Sequence, residues 1–112
     1  MSFPFNVHQG LVLLNAEVTG PSGSTIVRLA LDSGATSSLI NAASLILVGY
    51  DPALFPNRLP VTTGSGVVHV PRIPVVKMRA LGQDRFSFPV LCHSLPAGAG
   101  IDGLLGLDFF RV

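Results

Sequence analysis

The stretch LALDSGATSS, residues 29–38, decides the fold of this chain. An apolar run, residues 29–31, ends at Asp32 and is followed by small polar residues that lie directly before the apolar pair Leu39-Ile40. This pattern predicts a strand that delivers a carboxylate into a partly buried loop at the edge of the core. Taken on spacing alone, Asp32 is interpreted as a turn residue that accepts hydrogen bonds from the backbone of residues 33–35.

Short β-rich segments and turns surround this stretch, and they predict a mostly β domain with one or two short helices. A helix is expected from Asn41, as its N-cap, to a stop at Gly49. Prolines at 52, 56 and 60 indicate an irregular connection after it. The remaining predicted elements are strands at 10–19 and 24–31 around a turn at 20–23, a hairpin at 60–70 with a mobile glycine-rich tip at 64–66, strands at about 72–80 and 85–92 around a turn at 81–84, and a loop at 96–100.

Length and composition set limits on the function. The 112 residues suffice for one compact domain, residues 1–112, so a cleft between two domains would need a partner copy. Hydrophobic residues make up 48% and charged residues 12%, which favours a large buried fraction over disorder. A formal charge of +1 without a Lys/Arg cluster disfavours nucleic acid and anionic lipid as partners.

The cysteine and the histidines predict no metal site and no cofactor. Cys92 is the only cysteine, so it is interpreted as a small buried apolar residue. A nucleophilic role is disfavoured because the neighbouring His93 would point to the opposite face of a strand. His8, His69 and His93 show no metal-ligand spacing. Without a signal peptide or an apolar run of about 18 residues, the cytoplasm is the default expectation, although the chain could be a fragment of a longer protein.

A family resemblance rests on three stretches taken together. Residues 29–38 resemble the active-site loop of aspartic proteases, in which an apolar strand delivers Asp-Thr/Ser-Gly-Ala. Residues 101–110, IDGLLGLDFF, resemble the apolar-apolar-Gly segment and short helix beneath that loop in the single-domain, retroviral-type members. The Gly-Ser-Gly hairpin tip lies between them, where the family carries its flap. From about residue 10 to 110 the chain is therefore similar to the retropepsin-like aspartic proteases of cellular, in particular bacterial, genomes.

The resemblance implies a retropepsin-like closed β-barrel, the acid protease fold, assembled as a two-fold homodimer. The chemistry needs two carboxylates that share one proton, one to activate a water molecule and one to support the substrate carbonyl. The sequence holds a single Asp-Ser-Gly-Ala, so Asp32 of each copy would supply one carboxylate and isolated monomers would be inactive. The implied activity is that of an aspartic endopeptidase that cleaves extended, largely apolar peptide segments without a cofactor.

The resemblance also assigns supporting roles. The hydroxyl of Ser33 would reach the backbone of the partner loop, and Gly34 and Ala35 would let the loop turn tightly beside water and substrate. A peptide would bind as an added strand beneath the flap. The flap residues are Thr63, Gly64, Ser65 and Gly66, and the residues that pack beneath the loop are Leu104, Leu105 and Gly106.

Several alternatives remain open. Only six residues follow Gly106, whereas retroviral relatives continue into a C-terminal strand of the dimer sheet, so dimerisation would use another surface, such as residues 1–9, or a longer chain. Asp102 is interpreted as a turn residue and Asp108 as a helix cap or ion-pair partner of Arg111; they are the only nearby carboxylates if one chain supplied both. A catalytically weak dimerisation or peptide-binding module is the alternative function, and an unrelated β-barrel with a bare Asp-Ser-Gly turn is the third.

Overall fold

A computed structural model of the chain describes residues 12–111. Seven strands carry the fold, with one α-helix, α1 (Ala42–Leu47), and short 3₁₀ turns at Pro52–Leu54, Ala97–Ala99 and Leu107–Phe110. The strands are β1 (Leu13–Gly20), β2 (Gly23–Leu31), β3 (Leu39–Asn41), β4 (Arg58–Thr63), β5 (Gly66–Ala80), β6 (Gln83–His93) and β7 (Gly103–Leu105).

Six of these strands close into a barrel. The order within the described residues is β1-β2-β7-β3-β6-β5, and β5 pairs back to β1, with Ala16 opposite Ala80. Strand β4 pairs with β5 and extends the β4–β5 hairpin, residues 58–70, away from the ring. A closed ring leaves few unpaired strand edges, so a chain this short can satisfy its backbone. The predicted mostly β, closed-barrel class is confirmed.

The segment after the central loop differs from the prediction. Residues 39–41 form β3, which is parallel to β6 and antiparallel to β7, before the helix begins. Asn41 precedes α1, but its side chain does not cap the helix. Its Oδ1 instead accepts the Leu95 N–H at 3.3 Å, so the N-cap prediction is wrong about the partner of this amide. Asparagine suits either role because its side chain competes for nearby backbone groups.

Strand β5 is longer than predicted, because it runs through Pro71 and Pro74 without a break. Pro74 lies opposite Pro89 on β6. Proline has no backbone N–H, so this pair donates no hydrogen bond to the ladder. The turns are also tighter than predicted. Residues 64–65 and 81–82 alone connect their strands.

Two buried clusters hold the barrel together. The larger one fills the interior with side chains such as Leu29, Met78 and Phe109, each of which is at most 1% exposed. The second joins Ala30 of β2 and Leu104 of β7 to Val61 and Val70 of the β4–β5 hairpin. Burial of this apolar surface fixes the hairpin against the strand that carries Asp32. No helix within residues 12–111 is long and apolar enough to cross a membrane.

Candidate active site

Asp32 lies where β2 leaves the barrel, and hydrogen bonds hold it there. Its N–H donates to the carbonyl of Leu105, the last residue of β7, at 3.0 Å. The Gly34 N–H donates to Asp32 Oδ1 at 2.9 Å, and the Ala35 N–H donates to the Asp32 carbonyl at 3.1 Å. The predicted turn is therefore present. It aims a half-buried carboxylate outward, and Oδ2 has no hydrogen-bond partner within the described residues.

Small side chains keep this carboxylate uncovered. Ser33 and Gly34 are exposed, whereas Ala35 points inward and is 1% exposed. A Cβ atom on Gly34 would lie 3.3 Å from Asp32 Oδ1, which is tighter than ordinary van der Waals contact. A side chain at position 34 would therefore crowd the carboxylate and limit the approach of another molecule.

A buried serine that was not predicted from the sequence stabilises the loop. Ser38 is fully buried, and its Oγ donates to Asp108 Oδ1 at 2.7 Å and accepts the Gly106 N–H at 3.0 Å. The Ser38 N–H donates to both oxygens of Asp108, at 3.1 and 3.0 Å. The prediction that Asp108 caps its turn or pairs with Arg111 is therefore wrong, because this carboxylate holds the end of the loop that carries Asp32. The available signal was weak, because Ser38 is the last of several small polar residues directly before the apolar pair Leu39-Ile40.

The predicted support residues lie beneath the loop. Leu104 and Leu105 are fully buried, and β7 places them beside Ala30 and Leu31 of β2. A Cβ atom on Gly106 would lie 2.8 Å from the Ser37 carbonyl carbon and 2.9 Å from the Ala35 carbonyl oxygen. Only glycine lets the two backbone segments approach this closely.

Every acidic side chain of the chain lies within the described residues, so the carboxylates can be counted completely. Asp102, interpreted as a turn residue, instead reaches across to β2 and accepts the Arg28 N–H at 2.8 Å. Among the six carboxylates, only that of Asp32 lies in a loop of exposed small residues at the edge of the barrel. One of its oxygens, Oδ2, has no hydrogen-bond partner within the described residues. The others are engaged elsewhere: Glu17 with Lys77, Asp51 with the Ala53 N–H, Asp84 with Arg79, Asp102 with Arg28 and Asp108 with Ser38.

The tip of the β4–β5 hairpin forms one wall of a cleft with a volume of about 560 Å³. Thr63, Gly64 and Ser65 line this wall, and residues 93–96 with Val68 line the rest. Thr63 Oγ1 donates to the Gly66 carbonyl at 3.0 Å and accepts the Ser65 N–H at 3.3 Å, so the tip is internally bonded. Gly66, predicted as part of the flap, begins β5 and does not line the cleft. Asp32 does not line it either.

Cys92 has the environment of a structural residue. It is 3% exposed, and burial raises the pKa of its thiol, while the Arg58 charge opposes this to a smaller extent. A raised pKa lowers the fraction of thiolate, the nucleophilic form. Among residues 12–111, no three His, Cys, Asp or Glu side chains are grouped as metal ligands.

Comparisons with known proteins agree with this geometry. A family model described as aspartyl protease matches residues 15–109. The fold is similar to a retropepsin-like aspartic protease from Rickettsia conorii, with a TM-score of 0.64, 13% identity and coverage of 91% of this chain and 70% of that one. It is also similar to EIAV protease complexed with the inhibitor HBY-793, with a TM-score of 0.60, 17% identity and coverage of 96% and 91%. No curated protein matches the sequence.

Proposed function

Because this chain belongs to the aspartyl protease family, we propose that it hydrolyses peptide bonds with water activated between two Asp32 carboxylates, one from each copy of a homodimer. The observation that carries the proposal is the carboxylate count. Among the six carboxylates, Asp32 is the one that follows a barrel strand and lies in a loop of exposed small residues, with Oδ2 unpartnered within the described residues. The reaction needs two, so a second copy is the source of the other.

In the proposed reaction, the ionised Asp32 takes a proton from the bound water as the water oxygen attacks the peptide carbonyl carbon. The protonated Asp32 of the other copy donates its proton to the carbonyl oxygen, which gives a neutral tetrahedral diol. Proton transfer to the amide nitrogen then breaks the C–N bond, releases the amine and the acid, and restores one proton to the pair. The reaction consumes one water molecule and needs no cofactor.

The loop geometry supports the proposed roles of its neighbours. The Gly34 N–H orients the carboxylate, and the Ser38–Asp108 bonds hold the loop that carries it. Ser33 is exposed, so its hydroxyl is available to the backbone of a partner loop across the two-fold axis. Orientation of this kind matters because proton transfer requires reacting groups within hydrogen-bond distance.

The hairpin geometry supports a flap that covers an extended peptide. Its strands pack through Val61 and Val70 on the cluster that includes Ala30, two residues before Asp32. A peptide bound as an added strand would present alternate side chains to the partly buried apolar residues that surround this cluster, which include Leu59, Val68 and Leu95. We therefore propose extended, largely apolar segments as substrates, with Thr63, Gly64, Ser65 and Gly66 closing over them.

The test compares the natural chain with Asp32→Asn on a mixed peptide library, with products identified by mass spectrometry over a range of protein concentrations. Asp51→Asn is the matched control, because Asp51 Oδ1 also accepts the N–H two residues on, at 3.0 Å, in an exposed turn. We expect Asp32→Asn to lose at least about 100-fold of the activity and Asp51→Asn to retain it. Specific activity should rise with concentration for the natural chain, as a site shared between copies requires.

Two results would contradict the proposal. Unchanged cleavage in Asp32→Asn would remove this carboxylate from the mechanism. A stable dimer without cleavage at any concentration would favour the catalytically weak dimerisation or peptide-binding module.

A further inference from the structure

We propose that the cleft between the flap tip and residues 93–96 is a substrate side-chain subsite that selects glutamate or glutamine, and that His93 determines this preference. The inference rests on the proposed peptidase function, since it concerns one position of the bound peptide. It departs from the apolar preference expected along the rest of the substrate.

The position of the cleft suits a subsite away from the scissile bond. Its volume of about 560 Å³ lies within the range of small-molecule sites. Asp32 is not among its lining residues, so a side chain held here belongs to a residue some distance from the reacting carbonyl. The flap tip forms one wall, and a peptide beneath the flap would therefore pass its opening.

The character of β6 changes from apolar to polar as the strand reaches the cleft. Leu91 and His93 lie two residues apart and so point to the same face of the strand. Leu91 is buried in the cluster that joins the flap hairpin to Ala30 and Leu104. His93, the last residue of β6, is half-buried and lines the cleft. Leu91 is closed to a bound peptide, so the His93 imidazole is the side chain of this pair that a peptide can reach.

Two polar side chains of the cleft have no hydrogen-bond partner among the described residues. Neither the His93 imidazole nor the Ser94 hydroxyl bonds to another residue within 12–111, whereas the Thr63 hydroxyl is engaged in the flap turn. An apolar side chain would take these groups out of water without offering a partner, which is unfavourable. The carbonyl or carboxylate oxygen at the end of a glutamine or glutamate side chain would accept hydrogen bonds from them. No carboxylate lines the cleft to repel such an oxygen.

The cleft walls are held in place by hydrogen bonds, as a selective site requires. Asn41 Oδ1 accepts the Leu95 N–H at 3.3 Å, and Asn41 lies opposite His93 in the β3–β6 ladder. The segment that carries His93 is therefore held against β3 of the barrel by hydrogen bonds. Preorganised polar groups discriminate better than mobile ones, because less ordering accompanies binding.

The first measurement is the residue preference of cleavage, position by position, from the peptide library. The natural chain is compared with His93→Leu, which removes the hydrogen bonds, and with His93→Gln, which keeps them. His69→Leu is the control, because His69 lies exposed on the flap strand β5 and does not line the cleft. We expect glutamate and glutamine to be enriched at one position about 3- to 10-fold, lost in His93→Leu and kept in the other two variants.

A second measurement separates this proposal from the proposed catalysis. Asp32→Asn is titrated with two peptides that differ only by glutamate or leucine at the selected position, and the His93 imidazole signal is followed by NMR, assigned with His93→Gln. Tighter binding of the glutamate peptide, with a shift of the His93 signal, supports the subsite whether or not the natural chain cleaves. Equal preference in the natural chain and His93→Leu, or an unmoved His93 signal with both peptides, overturns it. Absence of cleavage alone counts against the catalysis and not against the subsite.

Discussion

Replacement of Ser38 by alanine should destabilise the protein far more than the loss of one hydroxyl on the surface. Ser38 is fully buried, so without its Oγ the Gly106 N–H is left unpaired inside the protein, at a cost of about 1–3 kcal/mol. Asp108 also loses a charge-assisted hydrogen bond of 2.7 Å, a type that contributes about 1.5–3 kcal/mol. In this variant Asp108 still accepts the backbone N–H of residue 38, which limits the total loss of stability. We therefore expect the free energy of unfolding to fall by about 2–4 kcal/mol.

Urea unfolding followed by circular dichroism measures this difference, at one protein concentration because a dimer is stabilised by mass action. Thr36→Ala is the control, since Thr36 is an exposed residue of the same loop, and it should change the free energy by less than about 0.5 kcal/mol. A double-mutant cycle of Ser38→Ala with Asp108→Ala should give a coupling of at least about 1 kcal/mol. A loss below about 1 kcal/mol in Ser38→Ala, or additive effects in the cycle, would refute the account of this hydrogen-bond network.

Two further predictions concern the loop support and the buried thiol. Gly106→Ala places a Cβ 2.8 Å from the Ser37 carbonyl carbon, so it should displace the loop that carries Asp32, lower the free energy of unfolding by about 1–3 kcal/mol and reduce the proposed cleavage. Gly98→Ala is the control, because its Cβ would meet no atom within 4 Å. Equal effects of the two substitutions on urea unfolding and on cleavage would contradict the prediction. Cys92 should react slowly with a thiol reagent in the native protein and rapidly after unfolding, because burial raises its pKa; rapid native labelling would show that the thiol is accessible. As pH rises past the ordinary thiol pKa of 9.0, the unfolded chain loses the thiol proton of Cys92 before the folded protein does, so the free energy of unfolding should fall with pH. In urea unfolding, Cys92→Ala should lack the part of this fall that comes from the thiol.

The local elements follow from signals carried by neighbouring residues. The turn at 20–23, the strand that ends at Asp32 and the helix before Gly49 were predicted because turn chemistry and apolar runs act over a few residues. Strand β3 was missed because its three residues are too few for a period, and it forms only when β6 and β7 enclose it. Strand β5 was divided at Pro71 because proline usually interrupts a ladder. The pairing of Pro71 with Arg58 on β4 and of Pro74 with Pro89 on β6 joins residues too far apart in the chain for a local pattern to indicate.

The candidate site divides in the same way. Asp32, Ser33, Gly34 and Ala35 were identified from adjacent letters of the sequence together with the family resemblance, and the turn they form is present. The partner of Asp108 lies 70 residues away along the chain, so charge and spacing suggested the nearer helix end and Arg111 instead. Long-range hydrogen bonds carry no periodic signal, which is why local reasoning assigned this carboxylate incorrectly.

The sequence by itself determined which residues are small, apolar or charged, and therefore where most of the strands and turns and the Asp-Ser-Gly-Ala loop lie. Only the tertiary structure decided which groups meet: Ser38 with Asp108, Asn41 with Leu95, and the tip of the β4–β5 hairpin with His93 across one cleft. The physical reason is that side-chain chemistry and local backbone preference act between neighbours in the chain. The closing of the barrel, in which β5 pairs back to β1, sets distances between residues that the chain itself keeps far apart.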